Sequence, residues 1–257
     1  MIVNLFFYLF YFLINSKIIN VSKIELNSFK KKKNIIHFIK CWNGDSILIE
    51  SNNNYGLIDA PIKYNNNFNH NIVLNYLKSI KIKKLDFIIV THTHTDHIGG
   101  ISEISNKFID NTTIFFYKKF NFKNNFDKYV NSKVYLNTIN SIKKKKAKII
   151  DVSNKTIIFK FGDMNLELFN TYIYSNKINL DDNQNSIITM IKLKNIKILL
   201  TGDFIKNIDI NKNKIFKKID ILKLPHHGFG DISINFLRKI KPENIIISSN
   251  FIYPRLS

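Results

Sequence analysis

The chain has 257 residues, of which 45% are apolar and 13% aromatic, so it can build one large domain or two small ones with a substantial core, which excludes a disordered polyelectrolyte. Its formal net charge of +20 comes almost wholly from lysine, since Arg238 and Arg255 are the only arginines, whereas recognition of nucleic-acid grooves favours the guanidinium group. The single cysteine, Cys41, excludes an internal disulfide and a cysteine-based zinc site.

An apolar run opens the chain from Ile2 to Ile14, interrupted only by Asn4. Its length matches the core of a signal peptide and falls short of the about 20 residues that a membrane span needs. Because the lysines all follow it, insertion would hold the rest of the chain in the cytoplasm. We therefore separate residues 1–20 from the fold as a signal, a weak membrane anchor or an upstream start artefact, and we expect a cytoplasmic protein with membrane association through this segment.

Short apolar runs separated by turn residues begin at Ile35 and are typical of strands, whereas the apolar spacing near residues 73–80 predicts an amphipathic helix. The strands predicted in the first half are 35–42, 46–51, 55–60, 86–90 and 112–117, and the helices are 70–80, 98–108 and 126–148. In the second half the strands are 149–153, 156–163, 165–171, 186–193, 196–203 and 244–250, with a helix over 232–240.

No proline-rich or glycine-rich linker divides the chain from residue 35 to residue 257. Two series of strands, each followed by helices, therefore predict one domain of the α/β class. We expect a four-layer αβ/βα sandwich, in which two mixed β-sheets pack face to face and helices cover the outside.

The stretch THTHTDHIGG, from Thr91 to Gly100, directly follows the buried strand predicted over 86–90. Its histidines and aspartate cannot share one helical face, because a helix brings residues i and i+4 together and scatters i and i+2. On a loop that leaves a strand, alternate residues can converge on one metal ion while the intervening pair serves another. Imidazole and carboxylate ligands suit zinc and are also used by manganese and iron.

Two divalent ions about 3.5–4 Å apart can hold a bridging hydroxide and stabilise the leaving oxygen of a displacement at phosphorus or carbonyl carbon. The cluster thus predicts a metal-dependent hydrolase. Such a centre needs further ligands, and Asp203, His226 and His227 follow similar predicted strands. In isolation, Asp203 would merely be a turn residue and the histidine pair a surface feature.

THTHTDHIGG resembles the HxHxDH signature of the metallo-β-lactamase fold superfamily, GLIDA resembles its preceding strand motif, and TGD resembles the later strand that carries the bridging aspartate. Three further stretches, NGDSILIE, NSIITMIK and LKLPHHG, most resemble the ComEC-type group, the hydrolase domain of bacterial DNA-uptake (competence) channel proteins and its free-standing relatives. The resemblance covers about Ile35 to the carboxyl end, and its motifs stand in the family's order.

This resemblance implies a dinuclear centre, with zinc as the expected metal and manganese as the alternative. His92 and His94 would hold the first ion, Asp96 and His97 the second, and Asp203 would bridge both. Asp96 and Asp203 are therefore also the candidate catalytic residues.

The resemblance implies supporting residues as well. One histidine of the pair His226 and His227 would complete the second metal site, with a slight preference for His227. Asp59 would orient the ligand loop from behind, and Asp45 would lie near the centre without being a ligand.

One departure from the family pattern concerns the first ion. Many superfamily members supply another histidine before the bridging aspartate, but none lies between His97 and Asp203. Asn185, Asp181 or Asp182 could contribute instead. Otherwise the first site is expected to be weakly occupied, or a single metal ion to do the work.

The end of the chain is a second departure. SSNFIYPRLS stops soon after the family's last strand, and Tyr253 stands where the family has a histidine before proline. The usual closing helix is missing, so we expect a domain truncated at its carboxyl terminus.

Three functions remain open at this point. Hydrolysis of a phosphodiester, in a small molecule or a nucleic acid, is favoured through the ComEC-type resemblance. A thioester or β-lactam hydrolase on the same fold is the first alternative. The other is a catalytically weak module that binds nucleic acid or membrane through lysines such as the runs at 30–33 and 143–146, and its binding would be salt-sensitive and unaffected by His94→Ala.

Overall fold

A computed structural model of the chain describes residues 17–18, 24–25, 33–41, 44–61, 71–120, 130–153, 155–170, 182–204, 218–229 and 234–249. Most of the apolar segment 1–20, Asp181 and the chain end around Tyr253 lie outside these residues, so what was predicted for them remains a prediction. Within the described ranges, no helix has the length and apolar character that crossing a membrane requires.

Two sheets of seven strands each form the middle of the fold. The first contains, in spatial order, β2 (Ile24–Glu25), β3 (Asn34–Phe38), β4 (Ile47–Ser51), β5 (Asn54–Ile58), β6 (Phe87–Ile89), β7 (Ile114–Tyr117) and β8 (Lys148–Asp151). Pairing is antiparallel from β2 to β5 and parallel from β5 to β8, which makes this sheet mixed.

The second sheet is built in the same way. It contains, in spatial order, β1 (Lys17–Ile18), β14 (Asn244–Ile246), β13 (Ile221–Lys223), β12 (Ile196–Leu200), β11 (Ile187–Leu193), β10 (Met164–Asn170) and β9 (Ile157–Phe161). Strands β9 to β12 are antiparallel, and β12, β13, β14 and β1 are parallel.

Helices cover the outer faces. They are α1 (Ile72–Ser79), α2 (Thr95–Ile98), α3 (Ile101–Phe108), α4 (Ser132–Lys144) and α5 (Ile234–Ile240), and single 3₁₀ turns span Asp182–Asn185 and Pro225–Gly228. Asn71 and Asn131 cap α1 and α4, since each side chain accepts a hydrogen bond from a backbone N–H three residues further along.

Three apolar clusters separate four layers. The cluster between the sheets includes Phe87 from the first sheet and Leu166 from the second. Leu77 and Ile104 belong to a cluster between the first sheet and its helices, and Leu237 belongs to one that joins α5 to the second sheet. Because both faces of each sheet are covered, apolar residues predominate in the central strands, as in β6, whose three residues are all apolar and buried. The predicted four-layer αβ/βα sandwich is confirmed.

Several predicted boundaries are wrong. The helix predicted over 126–148 ends at Lys144, and the chain turns through Lys146, whose φ of 57° is left-handed, into β8. The helix predicted over 98–108 is two helices, because the chain breaks at Gly99 and Gly100 between α2 and α3. The strand predicted over 244–250 ends at Ile246.

Candidate metal centre

The candidate residues follow parallel strands of the two sheets. Asp59 follows β5, the cluster from Thr91 follows β6, Asp203 follows β12, and the histidine pair follows β13. A backbone hydrogen bond of 2.8 Å from the Ile187 N–H to the Thr91 carbonyl joins the two sheets here. Asp96 and His97 lie in the short helix α2 rather than on an open loop, and His94 is the residue that precedes it.

Asp203 is the centre of the arrangement. Its Oδ2 lies 3.1 Å from Nε2 of His97, 3.4 Å from Nε2 of His227 and 3.8 Å from Nε2 of His92. Nε2 of His226 also lies 3.8 Å from this oxygen. Imidazoles from both sheets therefore converge on one buried carboxylate.

Asp96 joins the same group from α2. Its Oδ2 lies 3.5 Å from Nε2 of His227 and 3.9 Å from Nε2 of His97. One ligand atom from each of Asp96, His97, Asp203 and His227 lies within 4.8 Å of all the others. This group can hold a metal ion, as can the overlapping group of Asp45, Asp59 and His97.

The ring of His92 contacts the rings of both His97 and His94. The ring centre of His92 is 4.1 Å from that of His97 and 4.6 Å from that of His94. Nδ1 of His92 lies 3.1 Å from Oγ1 of Thr91 and 3.4 Å from Oγ of Ser186. These contacts leave the Nε2 of His92 on the side of Asp203.

The two candidate substitutes for the absent histidine contact protein groups. Oδ2 of Asp182 accepts hydrogen bonds from the Thr93 N–H at 2.5 Å and the Thr93 hydroxyl at 2.7 Å. Oδ1 of Asn185 accepts one from Nζ of Lys118 at 2.5 Å. Asp182 therefore fixes the ligand loop through Thr93.

Two carboxylates hold the histidine rings from behind. Asp59 accepts from the Thr91 N–H at 2.8 Å and the Thr91 hydroxyl at 2.6 Å, and its Oδ2 lies 2.8 Å from Nδ1 of His97. Asp45 does the same for His227, with Oδ1 3.3 Å from Nδ1. Each contact at Nδ1 leaves Nε2 of the ring directed into the centre.

Unpartnered atoms test whether the group suits a metal ion. Nε2 of His92, His97 and His227, Oδ1 of Asp203 and Nδ1 of His226 are buried and have no hydrogen-bond partner among the described residues. Buried polar atoms without partners are costly and rare. A divalent cation would satisfy the Nε2 atoms of His92, His97 and His227 and Oδ1 of Asp203, and imidazole with carboxylate is a donor set that fits zinc or manganese.

Electrostatics at the centre favour a bound cation. Burial alone would lower the pKa of His97, but three neighbouring carboxylates, Asp203 first among them, hold it well above its usual value. The pKa of His227 is likewise raised, because Asp203 and Asp45 outweigh its burial. At His92 burial prevails and the pKa is well below its usual value. The carboxylates thus attract protons to two of the rings, and a metal ion can take the place of those protons.

Sequence reasoning missed Lys223, which is 0% exposed and is the only buried lysine in the described part of the chain. It forms an ion pair with Asp45. Burial would raise the pKa of Asp45, but Lys223 and His227 hold it well below its usual value. The available signal was a lysine inside the apolar stretch DILKLP, directly before the histidine pair.

Comparisons with known proteins give a family for most of the chain. Residues 37–227 match the family model described as "Anti-Pycsar protein Apyc1". No curated protein matches the chain. The ComEC-type subgroup expected from the motifs is not supported, because the matching family is a different one.

Solved structures show the same fold. A protein from Parabacteroides distasonis is 18% identical with a TM-score of 0.52, over 89% of this chain and 88% of that chain. The metallo-β-lactamase fold protein YhfI from Bacillus subtilis is 13% identical with a TM-score of 0.52, over 85% and 88%. The short form of human tRNase Z is 11% identical with a TM-score of 0.51, over 83% and 92%. Identities this low establish the metallo-β-lactamase fold alone.

Proposed function

The chain belongs to the family of the anti-Pycsar protein Apyc1, and on that basis we propose that it is a metal-dependent phosphodiesterase that hydrolyses cyclic nucleotides. The observation that carries the hydrolase assignment is the convergence on Asp203 of three imidazole Nε2 atoms that have no hydrogen-bond partner. The family assignment points to a cyclic nucleotide as the substrate.

The second ion would be bound by Asp96, His97 and His227, with Asp203 as the shared carboxylate. These four residues supply ligand atoms within 4.8 Å of one another. His227 is a better ligand than its neighbour, because its ring is buried and held at Nδ1, whereas the side chain of His226 is 33% exposed.

The first ion would be bound by His92, His94 and Asp203. Oγ of Ser186 lies 3.4 Å from Nδ1 of His92 and accepts a hydrogen bond from the Asp203 N–H at 3.1 Å. Ser186 therefore supports the ligands, and the first ion has the smaller ligand set. We assign it the weaker occupancy, with zinc as the preferred metal and manganese as the alternative.

When bound, the ions would polarise the phosphoryl oxygens and activate a water for displacement at phosphorus. The side chain of Asp203 is 1% exposed, so its role would be to bind the ions among the imidazole ligands. The side chain of Asp96 is 39% exposed, so its carboxylate is accessible to orient the attacking water. Hydrolysis adds the water oxygen to phosphorus and breaks one ribose–phosphate ester bond. The departing oxygen takes a proton, which leaves a nucleoside monophosphate.

A lysine beside Asn185 also suits an anionic substrate. Lys118 directly follows β7, the strand beside β6, and its Nζ contacts Asn185 near the histidine cluster. Burial lowers the pKa of Lys118 to about 8, so the side chain is mostly charged at neutral pH. A phosphodiester that binds beside Lys118 would contact a partly desolvated ammonium group. The attraction between the two charges is stronger there than in water.

The test uses purified protein supplied with zinc or manganese and a panel of purine and pyrimidine 3′,5′-cyclic nucleotides, single-stranded DNA, a thioester and a β-lactam. We expect cyclic nucleotides to be opened to monophosphates, with loss of turnover on chelation and in Asp203→Asn. Protein that binds metal but leaves every cyclic nucleotide intact would overturn the proposal. Turnover of only the DNA, the thioester or the β-lactam would assign the centre to that substrate instead.

A further inference from the structure

Lys223 is buried beside the metal centre. It belongs to the three-residue strand β13, and its side chain is 1% exposed. No substrate can therefore reach its ammonium group while the fold is intact. A buried lysine is costly unless it is paired and hydrogen-bonded, so its partners indicate its role.

One of those partners, Asp45, contacts the ligand His227, and the other, Gly202, directly precedes the ligand Asp203. Nζ of Lys223 donates to Oδ2 of Asp45 and, across 3.2 Å, to the carbonyl of Gly202. Gly202 has a φ of 55° and directly precedes Asp203. The other oxygen of Asp45, Oδ1, accepts from Ser248 and lies 3.3 Å from Nδ1 of His227.

We propose that Lys223 is a positioning residue of the metal centre, which fixes His227 through Asp45 and the turn that carries Asp203 through Gly202. An ammonium group only donates hydrogen bonds, so it fixes Oδ2 of Asp45 and leaves Oδ1 facing the ring. A carboxylate held in this way keeps the imidazole orientation that directs Nε2 to the ion. This inference rests on the metal centre of the proposed function, but not on its substrate.

On the first sheet, the carboxylate that contacts a ligand histidine is held by uncharged groups instead of by a lysine. There, Asp59 is held by the N–H and hydroxyl of Thr91 while its Oδ2 contacts His97. The two histidines of the second metal site thus have equivalent carboxylate partners with different anchors. Lys223 has the additional contact with Gly202. Its removal should therefore disturb two ligands at once, His227 and Asp203.

The experiment compares Lys223→Met, Asp45→Asn and the double variant Asp45→Asn/Lys223→Met with the wild type. The double variant removes both buried charges and guards against a fold lost through one unpaired charge. Lys192→Met is the matched control, since Lys192 pairs with Glu167 at 2.8 Å on the same sheet. The readouts are zinc bound per chain at fixed free zinc, the visible spectrum of the cobalt-substituted protein, and the melting temperature without metal.

We expect all three variants at Asp45 and Lys223 to bind the second ion about 10-fold to 100-fold more weakly, with an altered cobalt spectrum. Lys192→Met should match the wild type in both respects. A double variant with wild-type zinc affinity and cobalt spectrum would overturn the proposal and leave the pair a purely structural one. Wild-type protein that binds no metal would overturn this inference and the proposed function together. Metal binding without cyclic-nucleotide turnover would overturn only the proposed function.

Discussion

Oδ2 of Asp59 lies 2.8 Å from Nδ1 of His97, although the two residues are 38 positions apart in the chain. Asp59 has a left-handed backbone with a φ of 57° and directly follows β5, and its side chain contacts the loop after the neighbouring strand. Because Nδ1 of His97 is held there, Nε2 of the same ring faces Asp203 at 3.1 Å.

Asp59→Asn should therefore weaken metal binding while the fold persists. Asparagine tolerates the left-handed backbone, but its amide donates where the carboxylate only accepts. Whichever way the amide lies, its NH₂ faces either the His97 ring or the Thr91 N–H. We expect the metal affinity to fall about 10-fold to 100-fold, as measured by competition with a chelator. Unchanged affinity in a folded variant would show that Asp59 does not hold the ring.

The histidine pair offers a comparison between adjacent residues. His226 and His227 have φ values of 48° and 54°, so asparagine fits the backbone at both positions. His227→Asn should lose the second metal ion, because the buried ring that contacts Asp96 and Asp203 is gone. His226→Asn should retain it. The measurement is the number of metal ions bound per chain in each variant. Loss of the second ion in His226→Asn and its retention in His227→Asn would make His226 the ligand.

Metal binding should depend on pH through His97 and His227. Their pKa values in the metal-free protein are raised well above the usual 6.5, so both rings hold protons near neutral pH. A metal ion must displace those protons, and affinity should therefore rise as pH rises through the raised values. Titration calorimetry in buffers of different ionisation enthalpy measures the proton release. Equal heats in all buffers would contradict it.

The same shifts set the stability of the metal-free fold. A histidine whose pKa is raised by folding adds stability that is fully present below pH 6.5 and is lost as pH rises through the folded value. The melting temperature without metal should then fall as pH increases from 6.5, while that of the metal-loaded protein should not. The two curves should diverge towards alkaline pH.

The sequence was sufficient to predict the four layers of the fold and several residues that lie together at the candidate metal centre. Strand periodicity is local, and ligands placed directly after buried strands must gather where parallel strands end. That reasoning placed Asp203 and His227 beside the cluster, and in the structure their ligand atoms lie within 4.8 Å of those of Asp96 and His97. The family subgroup was wrong for a related reason. The quoted motifs surround the metal centre, so they report metal binding and not the substrate.

Other features depend on contacts between residues that are far apart in the sequence, which no local pattern predicts. Asp45 and Ser248 are 203 positions apart and hydrogen-bonded, and Lys223 meets Asp45 across 178 positions. The division of the glycine-containing segment into α2 and α3 follows from Gly99 and Gly100, where Gly100 N donates to the Ala60 carbonyl at 2.7 Å. Such contacts are tertiary and override local helix preference.

Cys41 should be unreactive while the protein is folded. The residue is 6% exposed, and burial together with the nearby Asp45 carboxylate raises the pKa of Cys41 to about 12. A thiol reagent attacks the thiolate, so labelling at pH 8 should proceed only through unfolded molecules. The labelling rate should rise with denaturant in step with loss of circular dichroism. Rapid labelling of native protein would contradict the burial of this side chain.

Gly56 is required because Phe87 covers it. The two residues pair across β5 and β6, and a Cβ on Gly56 would lie 2.0 Å from Cζ of the phenylalanine ring. The ring cannot move away easily, since it packs edge-on against Phe161 and Phe159 at centroid distances of 4.8 and 5.4 Å. Gly56→Ala should therefore lower the free energy of unfolding by about 1–3 kcal/mol, the range for an overpacked core.

The matching change at Phe87 provides the control. Phe87→Leu alone leaves a cavity and is destabilising, but the added methyl of Gly56→Ala would occupy part of that space. The double variant Gly56→Ala/Phe87→Leu should therefore lose less free energy of unfolding than the sum of the losses in the two single variants. The difference, measured by denaturant unfolding, is the coupling energy, and we expect it to be about 0.5–3 kcal/mol. Strict additivity would mean that the steric contact between the strand and the ring does not determine the cost of Gly56→Ala.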